Sequence, residues 1–233
     1  MKRVSSLVIV LLIGIVTAKA QVKFSLGGGI GLAYVASKNM QEKIMPFATP
    51  HGIAMIDIPI AKNTFLETGL EYEQKGFSAE RRGYSDRQVN IFKSKRRYHY
   101  INLPLVVSYN IYKTKQSAFY AGVGMNYGFF IKGSVDNTAY GYVDGHMVSK
   151  EFYQASVYGM LPSSGFYSSS MHTNDMYFMD VMAHLQVRYI FKNRYWASIF
   201  YDHSLYDSHI GLPSPEGSSV KMRYLGTSLG IIF

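Results

Sequence analysis

The sequence predicts an all-β fold, namely an eight-stranded antiparallel transmembrane β-barrel with periplasmic termini and long extracellular loops. Three observations support this prediction. Apolar residues alternate with polar or small residues in eight segments, the period-two pattern of strands whose two faces differ. The connections between these segments are alternately short and long. The chain is rich in Tyr (20), Phe (14) and Gly (21) and contains no cysteine, so no disulfide can stabilise the fold.

The start of the chain has the layout of an export signal. Two basic residues precede an unbroken apolar run at 7–16, and Ala18 and Ala20 have the small-x-small spacing of a cleavage site. The apolar run is too short to span about 30 Å of hydrocarbon, which argues against a membrane anchor. We therefore expect residues 1–20 to be a signal peptide and residues 21–233 to form one outer membrane β-barrel domain in a Gram-negative bacterium.

Each of the first four segments has an apolar face and a polar or small face. The first alternates aliphatic and aromatic residues with Ser, Gly and Ala. The second alternates isoleucines with Met55 and Asp57, and the third alternates leucines with Glu67 and Glu71. The fourth alternates aliphatic residues with polar ones that include Asn102. In chain order, the eight segments are 24–34, 54–60, 66–73, 100–109, 119–129, 180–189, 195–202 and 224–233.

The last four segments repeat the pattern. The fifth alternates aromatic residues with glycine, and the sixth alternates aliphatic residues with Asp180, His184 and Arg188. The seventh sets Trp196 and Asp202 against an apolar face, and the eighth again uses glycine as the small residue. Each apolar face suits contact with lipid, and each polar or small face suits a narrow lumen.

The connections indicate the orientation of the barrel. Segments two and three, four and five, and six and seven are joined by short turns, as expected for the periplasmic side of an outer-membrane barrel. An even number of strands places both termini on that same side. The remaining connections are predicted to be extracellular loops, and they cover residues 36–50, 78–94, 133–175 and 205–219.

A soluble eight-stranded barrel of the lipocalin type is the alternative, with its apolar faces turned inward. Two features argue against it: the polar faces are too rich in glycine for a solvent-facing surface, and the apolar faces end in Tyr or Phe, as an aromatic girdle would. A closed barrel also pairs every backbone group within lipid. Pro59 and Pro104 each remove a hydrogen-bond donor from a strand, and we expect a local bulge at each.

Two of the segments resemble a known family. Residues 100–109 read YINLPLVVSY, which resembles the Tyr-Leu-Glu-Ile-Pro-Leu-x-x-x-Tyr strand of the PorT-like outer membrane β-barrel family of Bacteroidetes, and residues 119–124 are similar to the strand that follows it there. The terminal Phe233 resembles the signal by which the barrel assembly machinery recognises its substrates. The chain departs from the family at Asn102, where an acidic residue is usual. The resemblance implies the fold and the membrane; a role in type-nine secretion belongs to only some members.

The polar faces predict a structural charge network in the lumen. Counted from the adjacent short turns, Asp57, Glu67 and Arg188 lie at similar depth on the polar faces of their strands. A narrow lumen excludes most water, so opposite charges are expected to pair there. Glu71 and His184 are predicted to match in the same way at a higher level. Strand shear could instead offset these heights and leave each group solvated separately.

The second long connection is strongly basic, with only Glu80 and Asp86 as acidic residues. Without the three basic residues of the expected signal, 21 basic and 15 acidic residues remain, a net charge of +6. Outside the outer leaflet this loop would contact the phosphates of lipopolysaccharide, for which Arg is well suited. The alternative is a solvated loop whose charge only aids solubility. The candidate contact residues are Arg81, Arg82, Arg87, Lys93, Lys95, Arg96 and Arg97.

Two motifs raise the question of chemistry. Asp202, His203 and Ser204, with His209 nearby, resemble the polar groups that lipid A-modifying barrels use near their outer rim. Because neighbours in a strand point to opposite faces, His203 and Ser204 face one substrate only if a bulge intervenes. The glycines at 27–31 lack the strand and helix of a nucleotide-binding loop. We expect no catalytic residue, no metal ligand and no cofactor.

These observations favour a non-enzymatic outer membrane protein with a closed polar lumen and a structural or surface-contact role. A PorT-like component of a secretion system and a lipid A-modifying enzyme are the alternatives. The expected partners are outer-membrane lipid and lipopolysaccharide, the assembly machinery through Phe233, and, for the first alternative, a secretion-system protein. Because the chain is expected to be exported, we expect no nucleic-acid partner despite the positive charge.

Overall fold

The computed structural model describes residues 22–37, 43–85, 88–157, 159–160, 176–177, 179–206 and 220–233. The expected signal peptide at 1–20 lies outside these residues. No helix in the described part of the chain is long and apolar enough to cross a membrane. The strands are β1 (Lys23–Ser37), β2 (Lys43–Met45), β3 (Phe47–Ala61), β4 (Thr64–Ser85), β5 (Gln88–Lys113), β6 (Ser117–Val143), β7 (His146–Val157), β8 (Gly159–Met160), β9 (Met176–Tyr177), β10 (Met179–Phe191), β11 (Tyr195–Ser204) and β12 (Val220–Ile232).

Eight of these strands form a closed antiparallel ring, in the order β1, β3, β4, β5, β6, β10, β11 and β12. The pairing of β10 with β6 and of β12 with β1 closes the ring, so the barrel strands leave no open edge within it. The eight-stranded antiparallel barrel predicted from the sequence is confirmed. Among the described residues, β2 adds to the side of β4, β7 adds to β6, and β8 and β9 form a separate parallel pair.

Residues that alternate in the sequence lie alternately on the outer surface of the barrel and in its lumen. The aliphatic residues that were expected to face lipid are exposed, as on β1, β10 and β12, and the alternate positions are buried in the lumen. The lumenal side chains include four large aromatic residues that the pattern placed there. These buried residues are Tyr100, Tyr120, Trp196 and Tyr224.

Glycine makes room for those rings. A Cβ atom at Gly31 would overlap the ring of Tyr224, and one at Gly226 would overlap the ring of Phe200. The Phe200 and Tyr224 rings stack with their centroids 5.8 Å apart. The small residues on the inner faces therefore allow bulky neighbours to fill a barrel whose eight strands enclose little more space than side chains need.

The short turns and both ends of the described barrel share one side. The β3–β4 turn is at Lys62 and Asn63, and the β10–β11 turn contains Lys192 and Asn193, both in the left-handed region with φ of 51° and 54°. The Phe233 N–H donates to the Phe24 carbonyl over 2.8 Å, which ties the last residue to β1 at this end. In an outer-membrane barrel the end with short turns is the periplasmic one.

Three of the predicted loops are mostly strand, and one of them is 36–50, which includes the end of β1, all of β2 and the start of β3. β4 continues to Ser85 and β5 begins at Gln88, so 78–94 is a hairpin apart from residues 86–87, which lie outside the described residues. β6 runs on to Val143 and turns through two residues into β7, so 133–157 is also a hairpin. The reason is local, since Asp-Gly at Asp144 and Gly145 has positive φ at both positions (47° and 81°), as a tight two-residue hairpin turn requires.

These hairpins continue the sheet beyond the barrel. We call the part formed by residues 76–85, 88–97, 133–143 and β7 the protruding sheet. Its backbone pairing continues that of β4, β5 and β6 in the barrel, with one register shift at His99 and Tyr100 and another at the tip of β6. It stands on the side opposite the termini.

The two prolines behave differently. The register between β3 and β4 shifts next to Pro59, which confirms the bulge predicted there. At Pro104 the prediction of a bulge is wrong, because the β4–β5 register is the same before and after it. The ladder is interrupted at Gly69 and Leu70, opposite Pro104 and Leu103, so the missing donor is accommodated without an inserted residue.

Candidate functional site

The lower lumen contains one cation between two carboxylates. The Arg188 Nη2 atom lies 2.9 Å from Asp57 Oδ2 and 2.8 Å from Glu67 Oε1, and Nη1 donates to Asp57 Oδ1 over 3.2 Å. Gln186 donates to the other oxygen of Glu67. The guanidinium also lies 5.5 Å from the ring centroid of Tyr120. All three charged groups are buried, and burial of a charge is tolerated when it is paired and hydrogen-bonded in this way.

The middle of the lumen differs in part from the prediction. We expected Glu71 to match His184, and the two groups attract each other, but they are not hydrogen-bonded to each other. His184 Nδ1 lies 2.8 Å from Asp202 Oδ1, and Glu71 Oε2 accepts from Asn126 Nδ2 over 3.2 Å. The physical reason is register, because Asp202 lies directly opposite His184 on the neighbouring strand β11 and contacts its imidazole there, while Asn126 of β6 donates to Glu71.

A third, upper cluster was not predicted. Lys75 Nζ lies 3.1 Å from Glu73 Oε2 and 3.7 Å from Asp180 Oδ2. Asn102 Nδ2 donates to Glu73 over 2.7 Å, and the Ser204 hydroxyl donates to Asp180 over 2.8 Å. The sequence contained a signal for this cluster. Lys75 lies two residues beyond the end of the predicted third segment, on the same face of the strand as Glu71 and Glu73.

The centre of the lumen is occupied by polar and aromatic side chains together. The His51 ring lies 2.6 Å from Ser228 Oγ and 3.2 Å from the Tyr224 hydroxyl, and its edge faces Phe200 with centroids 5.1 Å apart. With the lower and upper clusters, these contacts join strands from all sides of the ring. These contacts link the strands of the barrel wall through the side chains that fill the lumen.

The residues that resembled an enzyme cluster are not brought together. Asp202 and Ser204 are buried on the lumenal face, whereas His203 lies on the opposite face with its Nδ1 3.2 Å from the Tyr201 hydroxyl. Ser204 is bonded to Asp180, so its hydroxyl does not contact an imidazole. His209 lies outside the described residues. The described residues contain no cluster of His, Asp or Glu with the geometry of a metal site.

Six of the seven basic residues proposed for lipopolysaccharide contact lie on strands and not in a loop. Arg81 and Arg82 belong to β4 and the last four belong to β5, while Arg87 lies outside the described residues. Arg96 alone is buried, and its guanidinium lies 5.6 Å from the Phe77 ring centroid. The alternation of side chains along β5 explains this, because the side chain of Arg96 points inward and those of its two neighbours in the strand point outward.

Several of these cations are already paired within the protruding sheet. Arg82 Nη2 lies 2.8 Å and Lys93 Nζ 3.7 Å from the carboxylate of Glu80, and Arg97 Nη1 lies 2.6 Å from Asp136 Oδ2. The hydrogen bond from Arg82 holds the pKa of Glu80 below its ordinary value. Part of the positive charge counted in the sequence is thus compensated by neighbouring strands.

A closed ring of eight antiparallel strands, apolar outside and filled inside, defines an outer-membrane β-barrel protein. Residues 17–209 match the family described as outer membrane protein beta-barrel domain, and the chain belongs to this family. The comparison with curated proteins finds no match.

The comparison with solved structures finds several outer-membrane proteins at low sequence identity. Ail, the attachment invasion locus protein of Yersinia pestis, is 9% identical over 91% of this chain and 98% of its own, with a TM-score of 0.43. OprG from Pseudomonas aeruginosa is 12% identical over 91% and 95%, with a TM-score of 0.39. Neisserial surface protein A is 9% identical over 89% and 96%, with a TM-score of 0.36.

Proposed function

We propose that this outer-membrane barrel is non-enzymatic and that its role is surface contact through the protruding sheet. The observation that carries the proposal is the length of the strands. β5 has 26 residues and β6 has 27, whereas about 9–11 residues suffice to cross the membrane. More than half of each strand therefore has no use in spanning the bilayer.

The composition of the protruding sheet supports a contact role. Tyr84 (72% exposed), Phe152 and Tyr153 (each 65%) present large rings to the outside, well away from the short-turn end. Aromatic side chains provide much contact area at a low cost in conformational entropy. The barrel beneath, with the ion pairs of Arg188 and Lys75 inside the lumen, acts as a rigid base for this surface.

The basic side of the sheet belongs to the same proposal. Contact with lipopolysaccharide phosphates through Arg81, Arg82, Lys93, Lys95 and Arg97 remains our expectation for this side. The pairing of three of these cations with Glu80 and Asp136 reduces the charge available for it.

Site-specific photo-cross-linking in intact cells tests the contact role. A benzophenone amino acid replaces Phe152 on the protruding sheet, and in a matched variant it replaces Leu229, which is 71% exposed on the lipid-facing side of β12. We expect discrete cross-linked products with envelope or surface macromolecules at Phe152 and only lipid adducts at Leu229. If Phe152 gives no product beyond that of Leu229, the sheet has no contact role.

The resemblance of residues 100–109 to PorT-like proteins supports a second proposal, a component of a secretion system. Asn102, where this chain departs from that pattern, is buried and donates to Glu73, so the departure lies in the lumen and leaves the outer surface unchanged. Purification of the tagged chain from a mild detergent extract tests this. A stoichiometric secretion protein that is lost on removal of the protruding sheet would favour it over a general contact role.

A further inference from the structure

A short row of basic residues lies on the outer wall of the barrel, on the side away from the protruding sheet. We call Lys221 and Arg223 of β12 and His203 of β11 the β12 basic row. Arg223 lies opposite His203 on the neighbouring strand β11 and opposite Tyr34 on the other neighbouring strand, β1. One step closer to the periplasm on the same face lies Leu225, which is exposed as part of the apolar band.

The position of this row is the boundary between lipid tails and headgroups. Below it the outward residues of β12 are apolar except for Thr227, whose hydroxyl donates to the Ile30 carbonyl. At its level Tyr201 and Tyr34 provide the aromatic rings typical of the membrane interface. The Tyr201 hydroxyl lies 3.2 Å from His203 Nδ1, and the Arg223 guanidinium carbon lies 5.9 Å from the Tyr34 ring centroid. Aromatic and basic side chains thus lie next to each other around Arg223.

The row has no acidic partner among the described residues. The outward positions of β10, β11, β12, β1 and β3 include no Asp or Glu in the part of the chain that the structure describes, since Asp57, Asp180 and Asp202 all face the lumen. Arg223 Nε is shielded from solvent and finds no hydrogen-bond acceptor in the same residues. The cations of the protruding sheet differ, because Arg82 and Arg97 have carboxylate partners within 2.8 Å.

We propose that the β12 basic row binds a phosphate group of an outer-leaflet lipid, with the acyl chains of that lipid packed along the apolar face of β12 below. An Arg side chain offers a planar fork of donors that matches phosphate oxygens, and a neighbouring Lys adds charge. At this depth an unpaired guanidinium facing lipid would be costly, and a lipid phosphate is the anion present at that level. The inference rests on the outer-membrane location and is independent of the contact role of the protruding sheet.

Lipid binding by the full chain in detergent micelles tests the proposal without regard to orientation in the cell. Native mass spectrometry follows the titration of bisphosphorylated lipid A, and in a parallel arm its dephosphorylated form. The test variant is Lys221→Gln with Arg223→Gln, and the matched control is Lys192→Gln with Arg194→Gln, which removes the same two charges from the exposed short turn between β10 and β11 at the other end of the barrel. The heat-dependent mobility of the folded barrel is checked for each protein.

We expect the test variant to bind lipid A about tenfold more weakly than the wild type, the effect of losing one charged hydrogen bond, and the control to stay within about twofold. Arg223→Lys should retain part of the affinity. The wild type should prefer the phosphorylated lipid, and excess inorganic phosphate should not displace it. Equal binding of both lipids by the wild type would overturn the proposal even if the test variant did not fold. Equal loss in both double variants, or displacement by free phosphate, would overturn it as well.

Discussion

At the residue scale, the carboxylates in the lumen differ in whether a cation is bonded to them. Glu67 lies against the guanidinium of Arg188, whereas the Glu71 Oε1 atom is buried and has no hydrogen-bond partner in the described residues. Glu71 also lies close enough to Glu73 and Asp202 to be repelled by both, and His184 attracts it without a hydrogen bond. We therefore expect glutamates on the same face of β4 to have opposite effects on stability at these two positions.

We predict that Arg188→Met lowers the free energy of unfolding by about 3–5 kcal/mol, because it leaves two buried carboxylates without their cation. Adding Glu67→Gln to Arg188→Met should recover part of that loss, since it removes one of the orphaned charges. Urea unfolding of the protein in lipid vesicles measures each variant. Strict additivity of the two substitutions in the double-mutant cycle would show that the pair contributes nothing.

Glu71→Gln is predicted to raise the unfolding midpoint in urea, while Glu67→Gln, made alone, lowers it. The amide at position 71 keeps an oxygen for Asn126 and removes a buried charge that has no cation bonded to it. At position 67 the same change removes a carboxylate bonded to Arg188. Each variant is therefore the control of the other, and a decrease of similar size in both would contradict this account.

Parity along the strands was sufficient to identify the lower cluster from the sequence. Asp57, Glu67 and Arg188 have inward parity and similar distances from their turns, and these two quantities determine where a side chain lies in a small barrel. Parity could not choose between partners of His184, since that choice depends on the register between β10 and β11. Register is fixed by hydrogen bonds between strands, and a sequence without an alignment does not reveal it.

At the element scale, the strands are longer than the hydrophobic pattern suggests. The outward apolar residues become fewer where β4, β5 and β6 leave the membrane, because lipid no longer covers that face, although inward residues such as Phe77, Ala79 and Val135 are still buried. Backbone pairing does not depend on the hydrophobic pattern and continues to the tips of the hairpins. Asp144-Gly145 was the available signal for the second hairpin, as this dipeptide favours a two-residue turn.

We predict that Gly145→Val loosens the tip of the β6–β7 hairpin, because φ at Gly145 is 81° and a β-branched residue is strained there. Hydrogen exchange of the β7 amides should accelerate by about tenfold, with no change in the barrel strands. Gly83→Val is the matched control, since a Cβ atom added at either glycine would meet no other atom within 4 Å and only Gly145 has positive φ. Similar acceleration in both variants would show that strain at the turn is not the cause.

At the scale of the whole molecule, the short turns and the protruding sheet lie at opposite ends of one barrel. The chain has no cysteine, so single cysteines can be introduced without a background signal. We predict that Tyr84→Cys reacts with a membrane-impermeant maleimide on intact cells and that Lys62→Cys reacts only after the outer membrane is permeabilised. The reverse pattern would mean that the barrel is inserted the other way round.

The filled lumen leads to the last prediction, that the folded protein forms no steady ion-conducting pore. Eight strands enclose a space that side chains can just fill, whereas porins with open channels have about sixteen strands. Here the space is occupied by Tyr100, Tyr120, Trp196 and Tyr224, which are all buried, and by the ion pairs of Arg188 and Lys75. Opening a water path would require several of these contacts to break together, so purified protein in a planar bilayer should show no stable conductance steps.

Trp196→Ala with Tyr224→Ala removes two of the large rings and is the positive control, because brief openings confined to that variant would identify the rings as the barrier. Long-lived steps in the wild type would contradict the closed lumen and, with it, the role of the barrel as a sealed base for the protruding sheet.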